Sequence, residues 1–112
     1  MVNRDRAVLL KICEEIEYLK SQIQTIELDK FMSNEMMKRA TAMTLINIGE
    51  LANHLSKEFK KINDQIPFHK VVALRNVAAH GYHSLKFESI WKTAIHDIPN
   101  LELQIKQILD KA

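Results

Sequence analysis

Eight consecutive residues, Arg75-Asn76-Val77-Ala78-Ala79-His80-Gly81-Tyr82, gather a guanidinium, an amide, an imidazole and a phenol. A guanidinium offers a phosphate a planar fork of donors. An imidazole moves a proton near neutral pH at modest cost. Together they suit phosphodiester chemistry. RNA brings its own nucleophile, the 2′-OH, so an enzyme acting on it needs no metal to generate one. The same residues also have a purely structural reading. An Arg near a helix C-terminus complements the helix dipole, and a His before a Gly can simply cap the helix. Spacing alone leaves both readings standing.

The spacing does constrain the backbone. Arg75 and His80 are five positions apart, about 140° around a continuous α-helix. They can serve one ligand only if the helix ends just before His80 and the chain turns. Gly81 permits that turn, because it takes φ > 0 without a Cβ penalty. The expectation is a helix carrying Arg75 in its last turns, followed by a turn that presents His80 and Tyr82. For Tyr82, a core aromatic with a satisfied hydroxyl and a base-stacking surface for RNA are both open.

The run resembles the Arg-x4-His-x-Tyr signature of the HepT-like toxins, members of the HEPN superfamily. The resemblance extends along nearly the whole chain: Arg39-Ala40 and Ile48-Gly49-Glu50-Leu51-Ala52 upstream, Ile66-Pro67-Phe68 as the lead-in to the motif helix, then Trp91 and Asp97-Ile98-Pro99-Asn100-Leu101. Phe68 stands where the family pattern has Trp. The resemblance implies the toxin of a type II toxin–antitoxin pair, a metal-independent endoribonuclease without cofactor. Arg75 would bind the scissile phosphate, His80 would shuttle the proton, and Asn76 would orient one or the other. Two copies of the motif would face each other across a homodimer. Tyr82 would be the site at which a cognate minimal nucleotidyltransferase antitoxin attaches AMP. A non-catalytic module that binds a nucleotide or a nucleotidyltransferase is the alternative.

Composition sets the frame. A chain of 112 residues, 46% hydrophobic and 27% charged, suits one soluble helical domain over 1–112. Two Gly and two Pro are too few for the turns of an all-β fold. The lone Cys13 suits a reducing cytoplasm, and its place on an amphipathic helix reads as a small buried hydrophobe. No apolar run approaches a membrane span, and Met1 to Arg6 lack a signal peptide's apolar segment. The net charge of +2 is no nucleic-acid signature, yet residues 57–75 carry +3 and the remainder −1. Lys57, Lys60 and Lys61 are either a solvated helix end or a rail for an RNA backbone.

Four amphipathic segments must position the motif. Leu9, Ile12, Ile16, Leu19, Ile23 and Ile26 alternate at three and four residues, predicting a helix over about 4–25. A second helix is expected over about 29–59, with a broad apolar face. Its methionines, at 32, 36, 37 and 43, read as core filling, or else as an adaptable partner surface. Gly49 inside it implies a close helix crossing. Glu50 is either solvated or a buried partner for Arg39 or Arg75. A connection over 63–67 leads to a third helix over about 67–79. A loop over 84–86 precedes a last helix over about 87–111, which Pro99 kinks or restarts with Asp97 as N-cap. The result is an all-α antiparallel up-and-down bundle of four to five helices. The five histidines fall into no metal-ligand spacing.

Overall fold

The computed structural model describes residues 1–23 and 25–111. Gln24, which the expected first helix includes, and Ala112 lie outside the described residues. The described chain is all α, with the helices α1 (Asn3–Ile23), α2 (Leu28–Met32), α3 (Glu35–Asn53), α4 (Lys57–Ile62), α5 (His69–Ala79), α6 (Phe87–Lys92) and α7 (Ile98–Lys111). A 3-10 turn spans Tyr82–Ser84, and a π turn over Thr93–Asp97 joins α6 to α7. No described helix is long and apolar enough to cross a membrane.

The predicted seam of α1 builds the core. Leu9, Ile12, Ile16, Leu19 and Ile23 are all buried, packed with Leu45 and Ile48 of α3 and Ile98, Leu101 and Ile105 of α7. The long helices run antiparallel to their neighbours. The start of α1 meets the end of α3 where Asp5 accepts from Ser56, and Glu15 accepts from Asn47 further along. The end of α1 meets the start of α7 through Lys20 and Glu102. Trp91 ties α6 back to the first interhelix connection, its indole N–H donating to the Ile26 carbonyl at 2.9 Å.

The expected helix over 29–59 is three helices. Asn34 caps α3 by accepting the Met37 N–H at 2.9 Å, and Ser56 caps α4 by accepting the Phe59 N–H at 3.1 Å. The second break is fixed from outside the segment. Asp5, 2% exposed, accepts the Ser56 N–H at 2.8 Å and its hydroxyl at 2.6 Å. A buried carboxylate needs such donors, and a continuous helix would have committed the Ser56 N–H elsewhere. The core-filling reading of the methionines is also corrected. Met36 is 83% and Met43 57% exposed, and Met32 is largely exposed. Only Met37 packs against the core.

Pro99 does not restart the last segment from an Asp97 cap. The Ile98 N–H bonds to the Thr93 carbonyl, five residues back, so the helix widens for one turn just before the proline that lacks an N–H. Asp97 instead receives the Lys70 ammonium at 3.0 Å. Phe68, in place of Trp, lies buried against Phe59, with ring centroids 6.5 Å apart.

Gly49 sets the distance between α3 and α5. A Cβ there would stand 2.3 Å from the Val71 carbonyl oxygen and 2.9 Å from the Arg75 Cβ. Ala in place of Gly would gain about 1 kcal/mol of helix propensity. Overpacking against a backbone carbonyl costs about 1–3 kcal/mol, because a whole helix must move. Gly49→Ala is therefore expected to lower the melting temperature; a rise in thermal denaturation would show that the crossing is loose.

Candidate active site

Helix α5 stops where the motif needs it to. Ala79 is its last residue, His80 is the C-cap at φ −86° and ψ −11°, and Gly81 follows at φ 140°. The His80 and Gly81 N–H groups close the helix end by bonding to the Val77 and Ala78 carbonyls. Gly81 is required by its backbone conformation. Its φ disfavours any side chain, and an added Cβ would also meet the His83 imidazole at 2.7 Å. The chain then enters the 3-10 turn Tyr82–Ser84, where a turn was expected at Tyr82 and a loop only from Ser84. His80 is exposed and takes part in no side-chain hydrogen bond among the described residues.

Arg75 sits one helical turn earlier and is held from α3. Its Nε donates to Glu50 Oε2 at 2.6 Å, and its Nη1 donates to Asn76 Oδ1 at 3.2 Å. The other Glu50 oxygen lies 3.4 Å from His54 Nε2. Glu50 is thus the Arg75 partner that the sequence suggested, but it is exposed and not buried. The hydrogen bond from Arg75, then that from His54, holds its carboxyl below the usual carboxylate range. No hydrogen bond joins Arg75 to His80 among the described residues. The turn places both on the same end of α5, with one clamped and the other free.

Tyr82 is neither core nor fully solvated, at 39% exposed. Its ring leans on Phe87, with centroids 5.6 Å apart, and the Arg39 guanidinium lies over it at 5.2 Å. Lys38 lies over the Phe87 ring at 5.0 Å. The sequence offers Arg39 as a helix residue and a candidate partner for Glu50, but it pairs with Glu35 instead. The sequence carries no spacing signal that would put it against Tyr82, since the contact depends on how α3 and α5 cross.

Other candidates resolve differently. Cys13 is half-buried on α1; burial, then the nearby Glu102, pushes its thiol up. That environment disfavours a nucleophilic thiolate. Among the described residues no three His, Cys, Asp or Glu side chains gather into a possible metal site. Lys57, Lys60 and Lys61 are exposed on α4, and Lys60 reaches the Asn53 carbonyl at 3.4 Å. A cavity of about 560 Å³ lies between α5 and α6, with Ala73, Val77, Leu85 and Ile90 in its lining.

The all-α bundle with this turn is consistent with a HEPN-like fold. Residues 12–108 match the family described as HepT-like, ribonuclease HepT-like, and the chain belongs to that family. A candidate RNase of Caldanaerobacter subterraneus subsp. tengcongensis is 32% identical over 106 residues, covering 95% of each chain. A candidate RNase of Methanocaldococcus jannaschii is 26% identical over 107 residues, 95% of this chain and 98% of its own. A protein of Thermococcus cleftensis named "Probable ribonuclease HepT" is 26% identical over 97 residues, 87% of this chain and 88% of its own. No solved structure shows a significant match to the chain.

The Glu50 clamp can be checked without any substrate. A carboxyl with a depressed pKa contributes its ion pair fully above the ordinary Glu value of about 4.3 and loses it as pH falls through the depressed value. Arg75 should therefore stay clamped throughout neutral pH and come free only in acid. Carboxyl chemical shifts should give Glu50 a midpoint below that ordinary value, rising toward it in Arg75→Ala. An unchanged midpoint in Arg75→Ala would show that the clamp is absent in solution.

Proposed function

We propose that this chain is the toxin of a toxin–antitoxin pair and cuts RNA without a metal, using Arg75, His80 and Asn76. The observation that carries the reading is the free imidazole of His80 at a forced helix end, one turn beyond a guanidinium already held by Glu50. His80 takes the proton of the substrate 2′-OH. The 2′-oxygen attacks phosphorus, the bond from phosphorus to the 5′-oxygen breaks, and the 5′-oxygen leaves with a proton from an imidazolium. The products carry a 2′,3′-cyclic phosphate and a 5′-hydroxyl. Arg75 stabilises the charge that grows on the phosphoryl oxygens. Asn76, bonded to Nη1, steers the guanidinium toward the phosphate, and Glu50 fixes its other edge.

One imidazole cannot be base and acid in the same instant, so a second copy of the chain supplies the other. A surface suited to that copy runs along α3. Met36, Met43, Asn47, Glu50 and His54 recur at helical spacing on one exposed face that ends beside Arg75. Its two exposed methionines, set among polar side chains, suit an adaptable association surface. The homodimer brings two Arg75–His80 pairs to one cleft.

Silencing acts at Tyr82. A minimal nucleotidyltransferase antitoxin carries AMP from ATP to the Tyr82 hydroxyl. The phenolic oxygen attacks the α-phosphorus, pyrophosphate leaves, and the phenol proton is lost to solvent. The new phosphodiester adds about one negative charge beside the place where substrate phosphate binds.

His80→Ala and Arg75→Ala are each expected to abolish cleavage of RNA while helicity and melting temperature barely change, since exposed polar residues carry little stability. Cleavage by the wild-type chain should persist in EDTA; loss on chelation would refute the metal-free mechanism. Light scattering at micromolar concentration should give a dimer mass, and a strict monomer would remove the two-copy cleft. Incubation with the antitoxin and ATP should add AMP mass to the wild type and none to Tyr82→Phe. Equal gain in both would place the acceptor elsewhere.

A further inference from the structure

The Arg39–Tyr82 pair is not explained by packing alone. Arg39 lies on α3 and Tyr82 on the turn beyond Gly81, more than forty positions apart in the chain. The guanidinium is nevertheless held at two points. One face rests over the Tyr82 ring at 5.2 Å, and its Nε donates to Glu35 Oε1 at 3.1 Å. The Tyr82 ring is itself braced by Phe87, and Phe87 by Lys38, which also pairs with Glu35 at 3.1 Å. Lys38 is the buttress, with its side chain only 15% exposed. Arg39 is the opposite, with 64% of its side chain exposed. Its Nη edge makes no hydrogen bond among the described residues. A clasp made only for stability would bury the planar group; here it is paired and set over the ring yet left open.

We propose that Arg39 and Tyr82 form a nucleobase subsite, two residues past His80, that holds an unpaired base of single-stranded RNA next to the scissile phosphate. This rests on the reading that RNA is the substrate of the His80 turn. The base stacks on the guanidinium and phenol surfaces, and the adjoining phosphate takes the free Nη edge. Unpaired bases are commonly bound in this way, on aromatic rings or Arg planes, and the stacking tolerates any base. Glu35 and Phe87 provide what such a site needs before the ligand arrives. They bias the two surfaces toward this arrangement, so less side-chain freedom is lost on binding. The subsite also gives Tyr82 a use of its ring that is separate from modification at its hydroxyl. A base seated there would draw a single strand across the turn, with its sugar-phosphate leading toward His80 and Arg75.

The test uses the full chain carrying His80→Ala, so that binding is read without cleavage, and a short fluorescent single-stranded RNA. A second oligonucleotide set carries one abasic nucleotide, moved position by position. Fluorescence anisotropy should show Arg39→Gln and Tyr82→Leu each binding the intact RNA about 10-fold more weakly, while Tyr82→Phe stays within about 3-fold. One abasic position should weaken the parent protein by a similar factor and leave Tyr82→Leu unaffected, because the base and the ring are lost together. The proposal is overturned if no abasic position matters, if the variants lose affinity equally for intact and abasic RNA, or if they lower the melting temperature with binding unchanged. If the binding pattern holds but the wild-type chain cuts no RNA, the nuclease reading fails and the subsite stands.

Discussion

Everything at the candidate site depends on how closely α3 approaches α5. The approach is set by Gly49, whose missing Cβ lets the Val71 carbonyl and the Arg75 Cβ come against α3. Glu50 is the next residue, so the carboxylate reaches Arg75 at 2.6 Å without stretching. The antiparallel crossing also brings the start of α3 to the far end of α5. Arg39 then lands over Tyr82. One small residue thus fixes both ends of the surface on which the motif lies. The energetic weight is carried elsewhere, by the α1, α3 and α7 core, so the polar groups on this face are free to serve a ligand.

The division of labour at the end of α5 follows from the same geometry. Helix periodicity puts Arg75 and His80 on different sides, and the helix end moves His80 into the open. Arg75 is oriented by Glu50 and Asn76, whereas His80 makes no side-chain hydrogen bond among the described residues. That combination suits a charge-binding group that must stay put and a proton carrier that must meet its substrate. The exposed methionines of α3 border this arrangement.

Much of this was legible in the sequence because it rests on local rules. The α1 seam, the helix end before His80, the positive φ of Gly81 and the close crossing at Gly49 each follow from residue type and spacing. The missed features are those in which a distant residue decides. The signals for the breaks at Asn34 and Ser56 were present as cap residues, but the apolar run masked them. The second break is secured by Asp5, some fifty residues away. Burial of Met36 and Met43 was misjudged because periodicity reveals an apolar face and not what covers it. Asp97 has the residue type of a cap, but Lys70 from α5 claims it, and the chain passes Pro99 by widening one turn. The Arg39–Tyr82 contact has no local signature at all.

The central claim is that His80 removes a proton from the substrate's own 2′-hydroxyl. Attack by that hydroxyl leaves a mark on the product that attack by water does not. Fragments produced from a defined RNA by the wild-type chain in EDTA should carry 2′,3′-cyclic phosphate and 5′-hydroxyl ends by mass spectrometry, and His80→Ala should yield neither. Fragments ending in 3′-hydroxyl and 5′-phosphate would mean that water attacked phosphorus, and would contradict the account.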